Sequence, residues 1–299
     1  MQRKTELDAV AIGLMVLLCA LWGFQQVTIK VANAGISPLM QAGFRSAVAV
    51  VLVTVWAGAR GIRLTARDGS LWPGVAAGLL FAIEFGMIYW GLTFTNASRA
   101  VVFIYTSPFV VAAGVHWLVP SEALGRWQVA GLICAFTGIV TAFADNLSMP
   151  DGRQLFGDLL AFGAAILWGA TTVVIRVSCL SRITAAKTLL YQLAISAILL
   201  PPASLALGES GIHDPTALTW AALIYQSVVV AFSSYLVWFW LITRYPAGRL
   251  AAYSFLTPLF GILFGALFLG ERITPFLVAA MALVTAGLWM VNHSVAAKA

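Results

Sequence analysis

The chain is broken by charge, proline or glycine into apolar runs near 9–31, 38–59, 71–94, 99–118, 126–143, 155–179, 184–207, 217–241, 249–269 and 274–292. Crossing a bilayer as a helix takes about 20 predominantly apolar residues. Each run is therefore a candidate crossing, and ten of them leave almost none of the 299 residues for a globular domain. Only 9% of residues are charged while 61% are hydrophobic, against about a quarter and about a half in soluble domains. A water-soluble fold is excluded. The runs are too long and too continuous for the alternating strands of a membrane barrel, which have about ten residues each. The expected fold class is all-α: a polytopic membrane protein with short connections. The first run is too long for a signal-peptide core and has no A-x-A cleavage site, so it is read as a retained helix.

The net charge of +6 comes from 17 basic and 11 acidic residues. In a soluble protein this would suggest nucleic acid; here the basic residues lie between apolar runs and set orientation instead. With the N-terminus inside, twelve fall on the cytoplasmic side. Lys30, Arg99, Arg153 and Arg272 fall outside, and Arg45 lies within a run. Both termini are expected in the cytoplasm, with the chain in a bacterial inner membrane and the lipid bilayer as its main partner. Cys19, Cys134 and Cys179 are widely spaced inside or beside apolar runs, with no metal-ligand pattern. His116, His213 and His293 have no metal spacing either, and no cofactor is expected. The aspartates at 145, 151 and 158 read as a solvated outer face.

Internal similarity carries more information. Leu21-Trp22-Gly23 with Val27 to Val31 reappears 146 positions later as Leu167-Trp168-Gly169 with Val173 to Val177. Ser98-Arg99-Ala100 through Ser107-Pro108 recurs 150 positions on as Gly248-Arg249-Leu250 through Thr257-Pro258, and Glu122 with Gly138 matches Glu271 with Gly287 at an offset of 149. The chain thus divides into an N-terminal five-helix repeat, 1–146, and a C-terminal one, 147–299. Five is odd, so the second copy must be inserted upside down. Paired inverted halves are an architecture of secondary transporters, in which a midplane site opens to each side in turn.

At these anchors the chain resembles the drug/metabolite transporter superfamily, in its ten-helix EamA branch of two fused repeats. The resemblance rests on Trp22-Gly23 and Trp168-Gly169, Arg45 in the second run, Pro108 and Pro258 in the fourth and ninth, and Gly270-Glu271 after the ninth. The first half has Pro120-Ser121-Glu122 in place of that Gly-Glu. YddG-like amino-acid exporters are the nearest comparison within the family. The resemblance implies an exporter of small amphiphilic metabolites, amino acids foremost, with Trp22, Glu84, Tyr105, Ser107 and Trp168 in its cavity. Gln25, Thr172 and Tyr253 join them as polar neighbours one turn away. Small proton-coupled cation exporters of the superfamily use an acid in their first span, whereas Asp8 here lies at the membrane edge; a proton-coupled drug exporter is the alternative reading.

A charge within the hydrocarbon region is a candidate site residue. Arg45 lies about 10 Å and Glu84 about 15 Å from the outer ends of their helices at 1.5 Å per residue, within reach of each other as a buried ion pair. Glu84 is the preferred proton carrier. Pro108 and Pro258 break their helices, free backbone carbonyls and are the candidate gating points. Gly74-x-x-x-Gly78 and Gly261-x-x-x-Gly265 read as close helix approaches inside a monomer rather than a dimer seam. Motifs for hydrolase, zinc or ATP chemistry are missing, which argues against a membrane enzyme. A channel built on inverted repeats remains open.

Overall fold

The computed structural model describes residues 4–95, 97–144, 149–270 and 275–292, and all regular structure in them is helical. The N-terminal half comprises α1 (Ala9–Ala32), α2 (Pro38–Ala59), α3 (Leu71–Gly91), a fourth crossing broken into α4 (Ala97–Ile104) and α5 (Ser107–Leu118), and α6 (Arg126–Ala142). The C-terminal half comprises α7 (Gly152–Val177), α8 (Ala185–Ala206), an eighth crossing of α9 (Ala217–Ile224), a π-helical stretch Tyr225–Ser234 and α10 (Tyr235–Arg244), a broken ninth of α11 (Ala247–Tyr253) and α12 (Leu256–Leu269), and α13 (Pro275–Asn292). Among the described residues, nine crossings have at least 18 residues, and α6 is a shorter tenth.

Local sequence explains several helix ends. Asp8 is the N-cap of α1, its Oδ1 accepting from the Ala11 N–H at 2.9 Å. Asp151 caps α7 the same way, accepting from the Gln154 N–H at 2.7 Å. Pro38 begins α2, where its missing N–H costs nothing. The two broken crossings kink at equivalent places, Tyr105-Thr106 and Ser254-Phe255, two residues or so ahead of Pro108 and Pro258. In the eighth crossing the π stretch adds a residue per turn, and the Ser233 hydroxyl donates to the Val228 carbonyl five residues back at 2.8 Å.

Helix neighbours obey a two-fold exchange of the halves. α2 packs on its counterpart α8, and α6 on its counterpart α13. α1 lies against α12 as α7 lies against α5, and α1 against the α9 crossing as α7 lies against α3. This is the contact pattern of two inverted five-helix repeats, related by an axis in the membrane plane.

Two aqueous ends are pinned by buried ion pairs. At the end away from the N-terminus, Arg99 Nε and Nη2 donate to Asp158 Oδ2 at 3.0 and 2.5 Å, and the Thr95 hydroxyl donates to Oδ1 at 2.7 Å. Asp158 is 1% exposed, so it is no member of a solvated acidic loop; its sequence neighbourhood concealed the guanidinium that α4 brings to it. At the N-terminal end, Arg176 Nε donates to Glu122 Oε1 at 2.6 Å.

Between α6 and α13 the backbones approach so closely that a Cβ on Gly287 would lie 2.5 Å from the Gly131 carbonyl oxygen, and one on Gly138 would lie 2.9 Å from that of Ala280. Small residues give transmembrane helices this proximity. Gly287→Val is expected to cost about 1–3 kcal/mol or more through overpacking, read as a lower thermal midpoint of the purified protein. Gly13→Ala, with open space around it, is the control. Gly74 and Gly78 likewise admit Tyr191 and Ile195 of α8, as a contact within one monomer.

Candidate functional site

Midway through the bundle lies a chamber of about 220 Å³. That is below the range of about 300–1,000 Å³ typical of ligand pockets. Its lining runs from Trp22 through Gln25 and Gln26 to Ile29 on α1, and reaches Leu92, Ala97 and Ala100 where α3 ends and α4 begins. Those positions lead from mid-membrane toward the face opposite the N-terminus. Toward the N-terminal face, Phe255 is fully buried and the Cys19 thiol donates to the Tyr253 carbonyl at 3.2 Å.

The walls are aromatic. Trp22 meets Trp238 and Tyr235 edge-on at 5.8 and 6.3 Å between centroids, and its indole Nε1 donates to the Ser234 hydroxyl at 2.8 Å. Across the chamber Tyr105 meets Trp168 edge-on at 6.0 Å. Such pairs fix ring orientation as well as burying area. Tyr235, which lines the chamber, directly follows the π stretch that ends at Ser234.

Of the residues singled out in the sequence, Trp22, Gln25, Glu84, Tyr105, Trp168 and Thr172 line the chamber. Ser107 and Tyr253 do not. Ser107 starts α5 with its carbonyl toward Gly169, and the Tyr253 ring turns toward α13, where its hydroxyl accepts from Asn292 Nδ2. Thr257, the repeat counterpart of Ser107, takes the place in the wall.

The expected Arg45–Glu84 contact does not form. The Arg45 guanidinium lies 4.4 Å from the ring centroid of Phe85 and 6.0 Å from that of Tyr235, held over aromatic faces by cation–π attraction. Its Nε and Nη1, and Glu84 Oε2, are buried without hydrogen-bond partners. Glu84 is the one acid in the chamber lining, and Arg45 stands just behind the wall.

A second row of chamber residues went unread in the sequence: Phe85, Ile88 and Tyr89 on α3, and Tyr235, Trp238 and Phe239 on α10. Each of the second trio is 150 positions after its partner in the first, so the offset established at the broken crossings predicts them when carried to the neighbouring pair of helices. Gln192, another lining residue, stands 147 positions after Arg45 on the counterpart helix.

Among the described residues no cluster of His, Cys, Asp and Glu could hold a metal ion. The arrangement is an aromatic-walled recess with one carboxyl and several amide and hydroxyl groups.

The chain belongs to the EamA-like transporter family, whose model matches it twice, over residues 9–144 and 155–293. Each match covers one five-helix half. An uncharacterized transporter of Archaeoglobus fulgidus is 29% identical over 97% of this chain and 98% of its own length. A probable amino-acid metabolite efflux pump of Salmonella typhimurium is 29% identical over 93% of each chain. A solved crystal structure superposes with a TM-score of 0.82 at 17% identity, covering 96% of this chain and 97% of the other, and so shares the fold.

Proposed function

We propose that this transporter exports small amphiphilic metabolites, amino acids with aromatic or other apolar side chains foremost, by alternating access through the central chamber. The observation that carries this reading is one carboxyl, that of Glu84, in a chamber lining whose walls are aromatic. An ammonium group would pair with the Glu84 carboxyl while an apolar side chain packs against Trp22, Trp168 and Tyr105. Few polar groups among many apolar ones are what an amphiphile needs. The efflux pump of Salmonella typhimurium, named for amino-acid metabolites, supports the same substrate class.

In this reading the kinks beside Pro108 and Pro258 let the two halves rock, the excess of basic residues places both termini in the cytoplasm of a bacterial inner membrane, and a monomer is the working unit. Without a nucleotide motif, uphill export draws on an ion or substrate gradient, and Glu84 is the group placed to carry a proton with it. Asp8 counts against antiport of cationic drugs through span 1. The Lys4 ammonium and the Ala11 N–H hold its carboxyl down at about 2, at the membrane edge and outside the chamber.

The test is a transport screen across amino acids in proteoliposomes containing only this protein, with and without a proton gradient. Saturable counterflow of phenylalanine or leucine is expected. Flux that never saturates would mean a channel, and counterflow of cationic drugs alone would replace the substrate class.

A further inference from the structure

The N-terminal face holds a second recess of about 160 Å³, bounded by Lys4, Ser121, Glu122, Gln128, Arg176 and Arg249 among others. Three cations face one acid there. The bonding of each charge decides what the recess can accept.

Glu122 is fully engaged: Oε1 accepts from Arg176 Nε at 2.6 Å and Oε2 from the Ala247 N–H at 3.1 Å. Arg176 spends Nη1 on the Ile242 carbonyl at 2.6 Å. Lys4 is bonded to Asp8, whose Oδ2 also accepts from the Tyr245 hydroxyl at 3.0 Å. Gln128 donates to the Val291 carbonyl at 2.9 Å and accepts from the Gly125 N–H at 2.9 Å. Arg249 stands apart. It is only 9% exposed, its Nη1 has no partner, and no acid among the described residues pairs with it. A buried guanidinium left unpaired is costly, so its retention asks for a ligand.

The internal repeat says which ligand. Arg249 corresponds to Arg99, 150 positions earlier, and Arg99 is bound by the carboxylate of Asp158 on α7. Between α7 and α1 the offset is 146, which puts Ile12 in the place of Asp158. The second half therefore keeps the cation and lacks the internal carboxylate that satisfies it in the first.

We infer that Arg249 is a carboxylate-binding residue, and that the recess around it captures a small organic acid at the face carrying the N-terminus. The guanidinium fork matches a carboxylate bidentately, as Arg99 does with Asp158. Resting on the proposed function, the ligand is the carboxylate end of the exported amino acid, held before it enters the chamber from this side. Capture there would raise the local concentration of substrates bearing a carboxylate.

The experiment measures equilibrium binding of 3-phenylpropionate, a carboxylate without an ammonium group, to the full-length protein in phosphatidylcholine nanodiscs. Arg249→Gln is expected to weaken binding about tenfold or more, the loss of a charge-assisted pair, while Arg249→Lys stays closer to the parent. Ile12→Asp supplies the missing acid and is expected to lower affinity as Arg249→Gln does, with the guanidinium still present. Binding of 2-phenylethylamine, which has no carboxylate, should be the same in all four proteins. Unchanged 3-phenylpropionate affinity in both Arg249→Gln and Ile12→Asp overturns the inference, as does equally strong competition by sulfate. Should Arg249→Gln fail to fold, Ile12→Asp decides alone. Carboxylate binding that depends on Arg249, in a protein showing no amino-acid counterflow, would sink the substrate reading and leave this site standing.

Discussion

Trp22→Ala combined with Trp168→Ala will cut transport about tenfold or more while the protein still reaches the membrane and elutes as a single species. Each indole forms a chamber wall, and each loss removes about 1.5–3 kcal/mol of apolar contact with a bound amphiphile. A tenfold effect needs only about 1.4 kcal/mol expressed in binding. Trp22→Ala also frees the Ser234 hydroxyl, which accepts the indole N–H at 2.8 Å, and removes the edge contacts that orient Tyr235 and Trp238. Trp168→Ala removes the edge contact on Tyr105. Phenylalanine at either place keeps a ring without the N–H, so Trp22→Phe separates wall packing from the Ser234 bond. Counterflow rates normalised to the amount reconstituted check the outcome. Normal rates in the double variant would remove both indoles from the substrate path.

How far the sequence could be read follows from what a membrane does to side chains. Crossings are legible because the hydrocarbon layer demands length and apolarity of each helix, whatever its neighbours. The α2 limits match the expected run at both ends, and α1 and α3 differ from it by one to three residues. Which face of a helix turns inward is far less legible, since lipid and aromatic chamber walls favour the same residues. Trp22 and Trp168 stood out because both repeats carry them at matching places. Phe85 and Tyr235 are just as central, yet lie in apolar runs with no local marker; the repeat offset carried to α3 and α10 is the signal that finds them. Tyr253 misled because a polar ring beside Pro258 reads as a chamber group, while the kink at Ser254-Phe255 turns it toward Asn292. Asp158 misled for a related reason: a loop-flanking acid reads as solvated until Arg99 is brought to it from α4.

Glu84→Gln will remove the pH dependence of transport between about pH 5.5 and about pH 8 and abolish accumulation driven by a proton gradient, leaving counterflow down a substrate gradient measurable. Glu84 is the one acid in the chamber lining, so its amide leaves no carboxyl there to take up and release a proton. The substitution also leaves Arg45 without a neighbouring negative charge. Arg45 keeps the Phe85 and Tyr235 faces at 4.4 and 6.0 Å, so the helices retain that contact. Glutamine preserves shape and one acceptor oxygen, whereas Glu84→Asp keeps the carboxyl but withdraws it by one methylene. If the carboxyl carries the proton, the aspartate variant retains a pH profile that the glutamine variant lacks. If Glu84 serves packing alone, the order reverses: glutamine transports at parental rates throughout that pH range, and aspartate is the weaker. Coupling and structural roles thus predict opposite rankings of the same two proteins, and a pair of pH–rate curves in proteoliposomes separates them.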